Sequence, residues 1–365
     1  MRILMCLAFL SMLVVESPQA QGQTFAIIPP SMAHSLQSKI NEPAAKSAIA
    51  AADTAISRPP NPVTVIDLAG RLPSDPIYKK TNEAGFDLQA MANIALAYRL
   101  TGDKKYLNAA MKYITAWAGT YKTAVNPIND QDFYYFFVAN DLVETDMPAD
   151  AQALVKNFAR QYAEAYVNEI EKSYAPGAKD PSKKPDPTAN NNFQSHRIKL
   201  ATLAAFATGD KALIERAHAG FNQQVSANLY SDGSVWDFHE RDALHYVIYD
   251  LEPLLLAAIA AKTHGEDWYS YKSPSGSSVE KSLDWLIPYA EGQQSHEEFA
   301  HTTVQFDQTR AKAGVKGFSG PWDPKGSATT YGYASILDSR YRKVLGDVES
   351  HTGATPPNFI VLVFE

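Results

Sequence analysis

Residues 232–256 read DGSVWDFHERDALHYVIYDLEPLLL, and this stretch sets a crowded group of reactive side chains directly ahead of a long apolar run. The thirteen residues from 237 to 249 bring together Asp237, His239, Glu240, Arg241, His245, Tyr246 and Tyr249. An apolar run of this kind is typical of a helix buried in a protein core. The stretch therefore predicts a functional site at the start of a core helix. Its ordinary alternative is the solvated first turn of an amphipathic helix.

A second polar cluster lies upstream at residues 190–197, which read NNNFQSHR and also lead into an apolar segment. A single asparagine at such a place is typical of a helix N-cap, and that explanation stays open for each of the three. The whole cluster exceeds what one cap requires, because three adjacent asparagines, Asn190, Asn191 and Asn192, are followed by Gln194, His196 and Arg197. We predict that the two clusters meet in space and form one site.

One geometric condition limits this hypothesis. On a continuous helix Arg241, His245 and Tyr249 share a face. Tyr246 then lies about 140° from Arg241, at about 100° per residue. Arg241 and Tyr246 can converge only if the helix begins after Arg241 or if Pro253 bends it.

Helical hairpins recur along the chain around turns that contain glycine. The hydrophobic pattern predicts helices at residues 42–57, 88–100, 104–121, 132–143, 149–172, 200–207, 211–228, 254–263 and from 267 onward. Glycine can end one helix in the left-handed conformation while aspartate caps the next, as at Gly102-Asp103 and Gly209-Asp210. Together with Gly265, these turns fit a repeat of about 50 residues. The pattern predicts an all-α fold of helical hairpins, arranged as a solenoid or a closed toroid.

The remaining segments are less regular. Residues 21–84 are predicted to be an irregular N-terminal wrapping segment, and residues 173–188 a long loop. Strand signals are confined to residues 359–364, which read FIVLVF. No composition shift divides residues 21–365, so we expect a single domain.

Composition excludes several classes of function. The net charge of −7 disfavours nucleic acid as a partner. Arg2, the apolar residues 3–15 and the small residues near 17–20 predict a signal peptide at residues 1–20, and hence a periplasmic or secreted protein with no membrane anchor.

The single cysteine, Cys6, lies in that leader, which excludes cysteine nucleophiles and Cys-based zinc sites from the remaining chain. His296 and His301 are five residues apart and do not match the zinc motif HExxH, so we expect no metal.

The two polar clusters together resemble the alginate lyase superfamily. Its members combine an Asn-Asn-His motif with a DGS…R…ALHY…LEPLLLLA helix, and residues 190–197 and 232–258 are similar to both. The resemblance implies an incomplete (α/α) toroid. It also implies an exported lyase that needs no cofactor and cleaves 1,4-linked uronic acid polysaccharides. Where family members have histidine after the asparagine pair, this chain has Asn192 and Phe193. The resemblance makes alginate the first expectation for the anionic substrate, and this departure makes glucuronan or a related polyuronate the second.

The implied reaction, β-elimination, removes the C5 proton of a uronate and expels the 4-O-linked sugar. Neutralising the substrate carboxylate stabilises the enolate-like intermediate, and Asn191 and Arg241 suit that role. Tyr246 is predicted to be the general acid, and also the base in a syn route, whereas His196 is the candidate base for an anti route. The candidate substrate-binding residues are Asn190, Asn192, Gln194, Arg197, His239, Glu240, His245, Tyr249, Lys79 and Trp322.

Two other functions remain open from the residues alone. A glycoside hydrolase on the same toroid would need two carboxylates flanking the bond, and Asp237 and Glu240 are available. A periplasmic protein that binds oligouronates without turning them over would need no general acid. The oligomeric state is not indicated by the sequence.

Overall fold

The computed structural model describes residues 24–174 and 186–364. Helices dominate this part of the chain, and its only extended pairings are isolated bridges that join Leu229 to Val235 and Glu297 to Pro321. The expected all-α fold is therefore confirmed. The predicted signal peptide and most of the predicted loop at 173–188 lie outside the described residues.

The helices of the described residues, numbered in chain order, are α1 (Pro30–Ser35), α2 (Pro43–Ala55), α3 (Pro76–Thr101), α4 (Lys104–Thr120), α5 (Tyr134–Val143), α6 (Ala149–Tyr174), α7 (Asn192–Thr208), α8 (Lys211–Asn228), α9 (Trp236–Arg241), α10 (Leu244–Thr263), α11 (Val279–Ala290), α12 (Gln305–Lys312), α13 (Ser327–Leu337), α14 (Tyr341–Thr352) and α15 (Asn358–Phe364). A short 3₁₀ turn, Gln131–Phe133, precedes α5.

An inner layer of helices forms the core of an α/α toroid. Helices α3, α5, α7, α10 and α13 contact one another in that order, and α4, α6, α8, α11 and α14 pack outside them. The last helix, α15, touches α13, α2 and α3, so it spans the gap between the last and first inner helices. Helix α10 is long and apolar enough to cross a membrane, but 78% of its most apolar window is buried in the fold. Its hydrophobicity is that of a core helix.

The turns between hairpins follow the predicted chemistry at two of the three repeats. Gly102 and Gly209 are left-handed, with φ of 71° and 68°. Asp103 accepts a hydrogen bond from the amide of Lys105, and Asp210 accepts from Ala212. At the third repeat, the prediction of a helix from residue 267 onward is wrong. Residues 267–278 form turns and bends, and the next helix is α11.

Two predicted boundaries are also wrong. Helix α3 begins at Pro76, with Asp75 accepting the amide of Ile77 as its N-cap, so the irregular N-terminal segment is shorter than predicted. The expected C-terminal strand is helix α15. A short apolar run fits either a strand or a buried helix, and tertiary contacts decide between them. Here Phe359 and Ile360 are buried in the core.

Asp87 on α3 secures the segment that leads to the functional site. Its carboxylate is buried and accepts hydrogen bonds from Arg58 Nη1 (2.6 Å), the amide of Asn61 (2.5 Å) and Trp117 Nε1 (3.0 Å).

Asp87→Ala is expected to lower the free energy of unfolding by about 2–4 kcal/mol, since several donors lose their acceptor at about 1–3 kcal/mol each. Urea denaturation measures this change. The exposed N-cap variant Asp103→Ala is the control, with an expected loss of about 1 kcal/mol. Equal losses in the two variants would contradict the role of Asp87.

Candidate active site

The chain breaks its helical path between the two halves of the 232–256 stretch. Helix α9 ends at Arg241, Asp242 adopts a left-handed conformation with φ of 52°, and α10 begins at Leu244. The guanidinium carbon of Arg241 consequently lies 4.1 Å from the ring centroid of Tyr246. Of the two conditions under which these residues could converge, the structure meets the first.

Loop residues 296–301 hold this break in place. The Glu298 carboxylate accepts hydrogen bonds from the amides of Leu244 (2.9 Å) and His245 (3.3 Å), which are free donors at the start of α10. The carbonyl of Asp242 accepts the amide of Phe299 at 2.7 Å. Burial raises the pKa of Glu298 to about 7, although the two amides oppose that shift. The start of α10 is thus fixed by a carboxyl group from another part of the chain.

A groove with a volume of about 580 Å³ runs across the beginnings of α7 and α10. One wall is the segment 68–73 before α3, and the other is α12 with the loop that follows it. Aromatic side chains occur on both sides, with Tyr78 on the first and Phe306 and Phe318 on the second. A concave site with aromatic walls and a few convergent polar groups is typical of a sugar-binding cleft.

Two arginines flank Tyr246 within this groove. Arg241 donates to Asp237 (2.9 Å) and to Asp307 (2.6 Å). Arg310 donates from Nη1 to the Tyr246 hydroxyl at 3.2 Å. The sequence analysis missed Arg310. Its only sequence signals are its position three residues after Asp307 on a short helix and the aromatic residues on either side.

The electrostatic environment acts differently on the two titratable residues at the start of α10. Burial raises the pKa of the Tyr246 hydroxyl, whereas Arg241 and Arg310 lower it and Asp307 adds to the rise. The pKa of His245 falls to about 4, because burial and the same two guanidinium groups disfavour an imidazolium cation. His245 is therefore neutral at neutral pH.

The asparagine cluster contributes one wall residue and one cap. Asn192 lines the groove and donates to the Asp237 carboxylate from its amide (2.7 Å) and its side chain (3.0 Å). Asn191 instead caps α7, accepting the amide of Phe193 at 3.0 Å. The structure thus brings Asn192, Arg241, His245, Tyr246 and Tyr249 together in the groove.

The other candidate residues lie elsewhere. Gln194 and Arg197 are buried and bond each other at 2.9 Å, with Arg197 also contacting Thr188. His196 lies deeper on α7, where its ring packs against that of Tyr249 at 4.3 Å and lines a second cavity. Trp322 is partly buried against the core. The remaining four are exposed at the surface: Lys79, Asn190, His239 and Glu240.

This arrangement does not assemble the carboxylate pair of a glycoside hydrolase. Asp237 is fully buried and bonded to Asn192 and Arg241, whereas Glu240 is exposed. Two carboxylates that flank a glycosidic bond need to face one cleft.

The chain is similar to known polysaccharide lyases. The family Alginate lyase matches residues 35–296. A polysaccharide lyase from Stenotrophomonas maltophilia (strain K279a) is 28% identical over 189 residues, which are 50% of this chain. This chain spans only 55% of the length of that relative.

Solved structures of alginate lyases share the fold. An alginate lyase from Bacteroides ovatus superposes with a TM-score of 0.67 at 18% identity, covering 93% of this chain and 99% of that chain. Alginate lyase A1-III from Sphingomonas species A1 gives a TM-score of 0.62 at 18% identity, covering 96% of this chain and 99% of that chain. A variant of A1-III has been solved complexed with a tetrasaccharide. The family match extends over most of the chain, and this chain therefore belongs to the alginate lyase family.

Proposed function

We propose that this chain is a polysaccharide lyase that cleaves a 1,4-linked uronic acid polymer by β-elimination and leaves an unsaturated uronate end. Alginate is the first substrate to test, and glucuronan or a related polyuronate the second. The observation that carries the proposal is the Tyr246 side chain in a sugar-sized groove, with the Arg310 guanidinium bonded to its hydroxyl and the Arg241 guanidinium over its ring. Family membership supports the class of reaction, and the leader at residues 1–20 supports an exported enzyme.

The first requirement of the reaction is to neutralise the uronate carboxylate. Arg310 suits this role, because its guanidinium lies over the rings of Phe306 (4.1 Å to the centroid) and Phe318 (4.7 Å), donates to the Tyr246 hydroxyl, and makes only a long 3.5 Å contact with the carboxylate of Asp307. Asn192 also lines the groove; one N–H of its side-chain amide bonds Asp237, and the second is the neutral donor proposed for the substrate. Charge that develops on the carboxylate as C5 loses its proton is then met by donors already in place.

The second requirement is a base, and the local field favours Tyr246 over His245. Burial raises the pKa of Tyr246, but Arg241 and Arg310 act against that rise and favour the phenolate, whereas at His245 the same two cations add to the burial that lowers its pKa to about 4. In the proposed step the Tyr246 phenolate takes the C5 proton, the C4–O4 bond breaks and a C4–C5 double bond forms. The same hydroxyl then protonates O4 of the leaving sugar, which is a syn elimination. His196, the base of the alternative anti route, lies behind Tyr249 in the second cavity.

Tyr246→Phe tests this assignment directly. It removes the only atom that moves the proton, so we expect kcat to fall by at least about 10²-fold, the scale of losing a general acid or base. Turnover is followed by the ultraviolet absorbance of the unsaturated product on polymannuronate, polyguluronate and glucuronan. The exposed Tyr230→Phe is the matched control and retains activity. Reducing ends that form without this absorbance, or near-native turnover by Tyr246→Phe, would contradict the proposal.

The pH profile tests the role of Arg310. If the phenolate is the base, kcat/KM rises with pH as Tyr246 loses its proton. Arg310 lowers the pKa of Tyr246, so Arg310→Met raises that pKa. The rise of kcat/KM with pH, here called the alkaline limb, then moves to higher pH. We expect the rate at neutral pH to fall in parallel.

His245→Gln separates the two candidate bases. It removes a neutral side chain and is expected to leave the alkaline limb at the same pH. If the limb stays in place in Arg310→Met and disappears in His245→Gln, His245 is the base and the syn mechanism through Tyr246 is wrong.

A further inference from the structure

A second cavity of about 210 Å³, which we call the inner chamber, adjoins the groove. Gln131 and Tyr249 line both cavities, and the Tyr249 hydroxyl donates a hydrogen bond to Gln131 Oε1 between them. The chamber is enclosed by α5, α7, α10 and α13 and carries four titratable side chains besides its tyrosines: Asp132, His196, Lys199 and Glu252.

Lys199 is a buried cation that makes no salt bridge within the described part of the chain, although Asp132 and Glu252 lie near enough to act on its pKa. Its side chain is 3% exposed, its ammonium donates to the carbonyl of Gln131 at 2.7 Å, and it lies 4.9 Å from the ring centroid of Tyr134. Among residues 24–174 and 186–364, no carboxylate oxygen lies within 4.0 Å of this ammonium. An ammonium has three donors, and burying one with so few partners is unfavourable. The chamber is therefore suited to an anion.

His196 provides an independent sign of a ligand. It is 4% exposed, and neither of its ring nitrogens makes a hydrogen bond of good geometry within the described part of the chain, although the Tyr249 backbone carbonyl approaches the ring. Burial, helped by Lys199, lowers its pKa well below the usual range, and the backbone of Tyr249 partly opposes this shift. A neutral imidazole has one donor and one acceptor, which match the hydroxyl groups of a sugar.

We propose that the inner chamber is a sugar subsite that binds one uronate unit, with its carboxylate on Lys199 and a hydroxyl group on His196. The proposal rests on the proposed function, because this unit is the neighbour of the one that loses its C5 proton. Glu252 lies six residues after Tyr246 on α10, about 9 Å along the helix axis at 1.5 Å per residue. The hydrogen bond from Tyr249 to Gln131 lies between the two cavities, so it has to open for one chain to occupy both.

The acidic residues of the chamber oppose an anionic ligand and make the proposal specific. Glu252 accepts a hydrogen bond from Thr330 at 3.0 Å, and burial raises its pKa to about 7. Asp132 also faces the cavity, and burial raises its pKa while Lys199 lowers it. Lys199 and Glu252 therefore act in opposite directions on a bound carboxylate, and substitutions at the two positions have opposite expected effects.

The test measures binding in the Tyr246→Phe background, so that turnover does not interfere. Titration calorimetry with a tetrauronate is expected to give a Kd about tenfold or more higher in Lys199→Met, the scale of losing a charge-assisted hydrogen bond. Glu252→Gln keeps the side-chain size and is expected to lower the Kd. Lys211→Met, on the exposed start of α8, is the matched control and leaves the Kd unchanged.

A purely structural role for the chamber gives a different pattern. In that case both chamber variants weaken binding together and lower the midpoint of thermal unfolding, which overturns the proposal. An unchanged Kd in Lys199→Met overturns it too, as does equal binding of a neutral tetrasaccharide by the parent protein. If the Kd values shift as expected but no polyuronate yields an unsaturated product, the lyase assignment fails and the uronate subsite stands.

Discussion

The left-handed break at Asp242 is the constraint on which the site depends. A continuous helix would put Arg241 and Tyr246 about 140° apart, and the break instead stacks one on the other at 4.1 Å. A non-glycine residue in this conformation costs about 1–3 kcal/mol, so the surroundings must hold it. They do so through the Asp242 carbonyl, which accepts the Phe299 amide, and through its carboxylate, which accepts the amide of His301 at 2.8 Å.

A buried network extends from this break to the neighbouring helices. Asp237 joins Arg241 to the start of α7 through Asn192, and Asp307 joins Arg241 to α12. Burial, together with the nearby Asp237, raises the pKa of Asp250 well above its ordinary value. The positions of the groove residues are therefore coupled. Moving α9 would pull Asp237 away from Asn192 and Arg241 away from Asp307.

Local chemistry explains which features could be predicted from the sequence. The turns at Gly102 and Gly209 depend on residues within a few positions, so pattern reading found them. Which of Asn191 and Asn192 faces the groove depends on Asp237, a partner distant in the sequence. Arg310 has no local signature, because its role comes from the approach of α12 to α10. His196 follows Asn192 by one helical turn and shares its face, but the Tyr249 ring separates it from the groove.

Helix α10 links the groove to the inner chamber because one of its faces serves both. His245 and Tyr249 line the groove, and Tyr249, Glu252 and Leu256 line the chamber, following the i, i+4, i+7 and i+11 positions of a single stripe. Pro253 lies within this helix and lacks the N–H that would bond the carbonyl of Tyr249. The backbone of Tyr249 is the group that opposes the fall in the pKa of His196. A proline in a core helix thus leaves the Tyr249 carbonyl without its helical partner and available to the His196 ring, at the boundary between the two cavities.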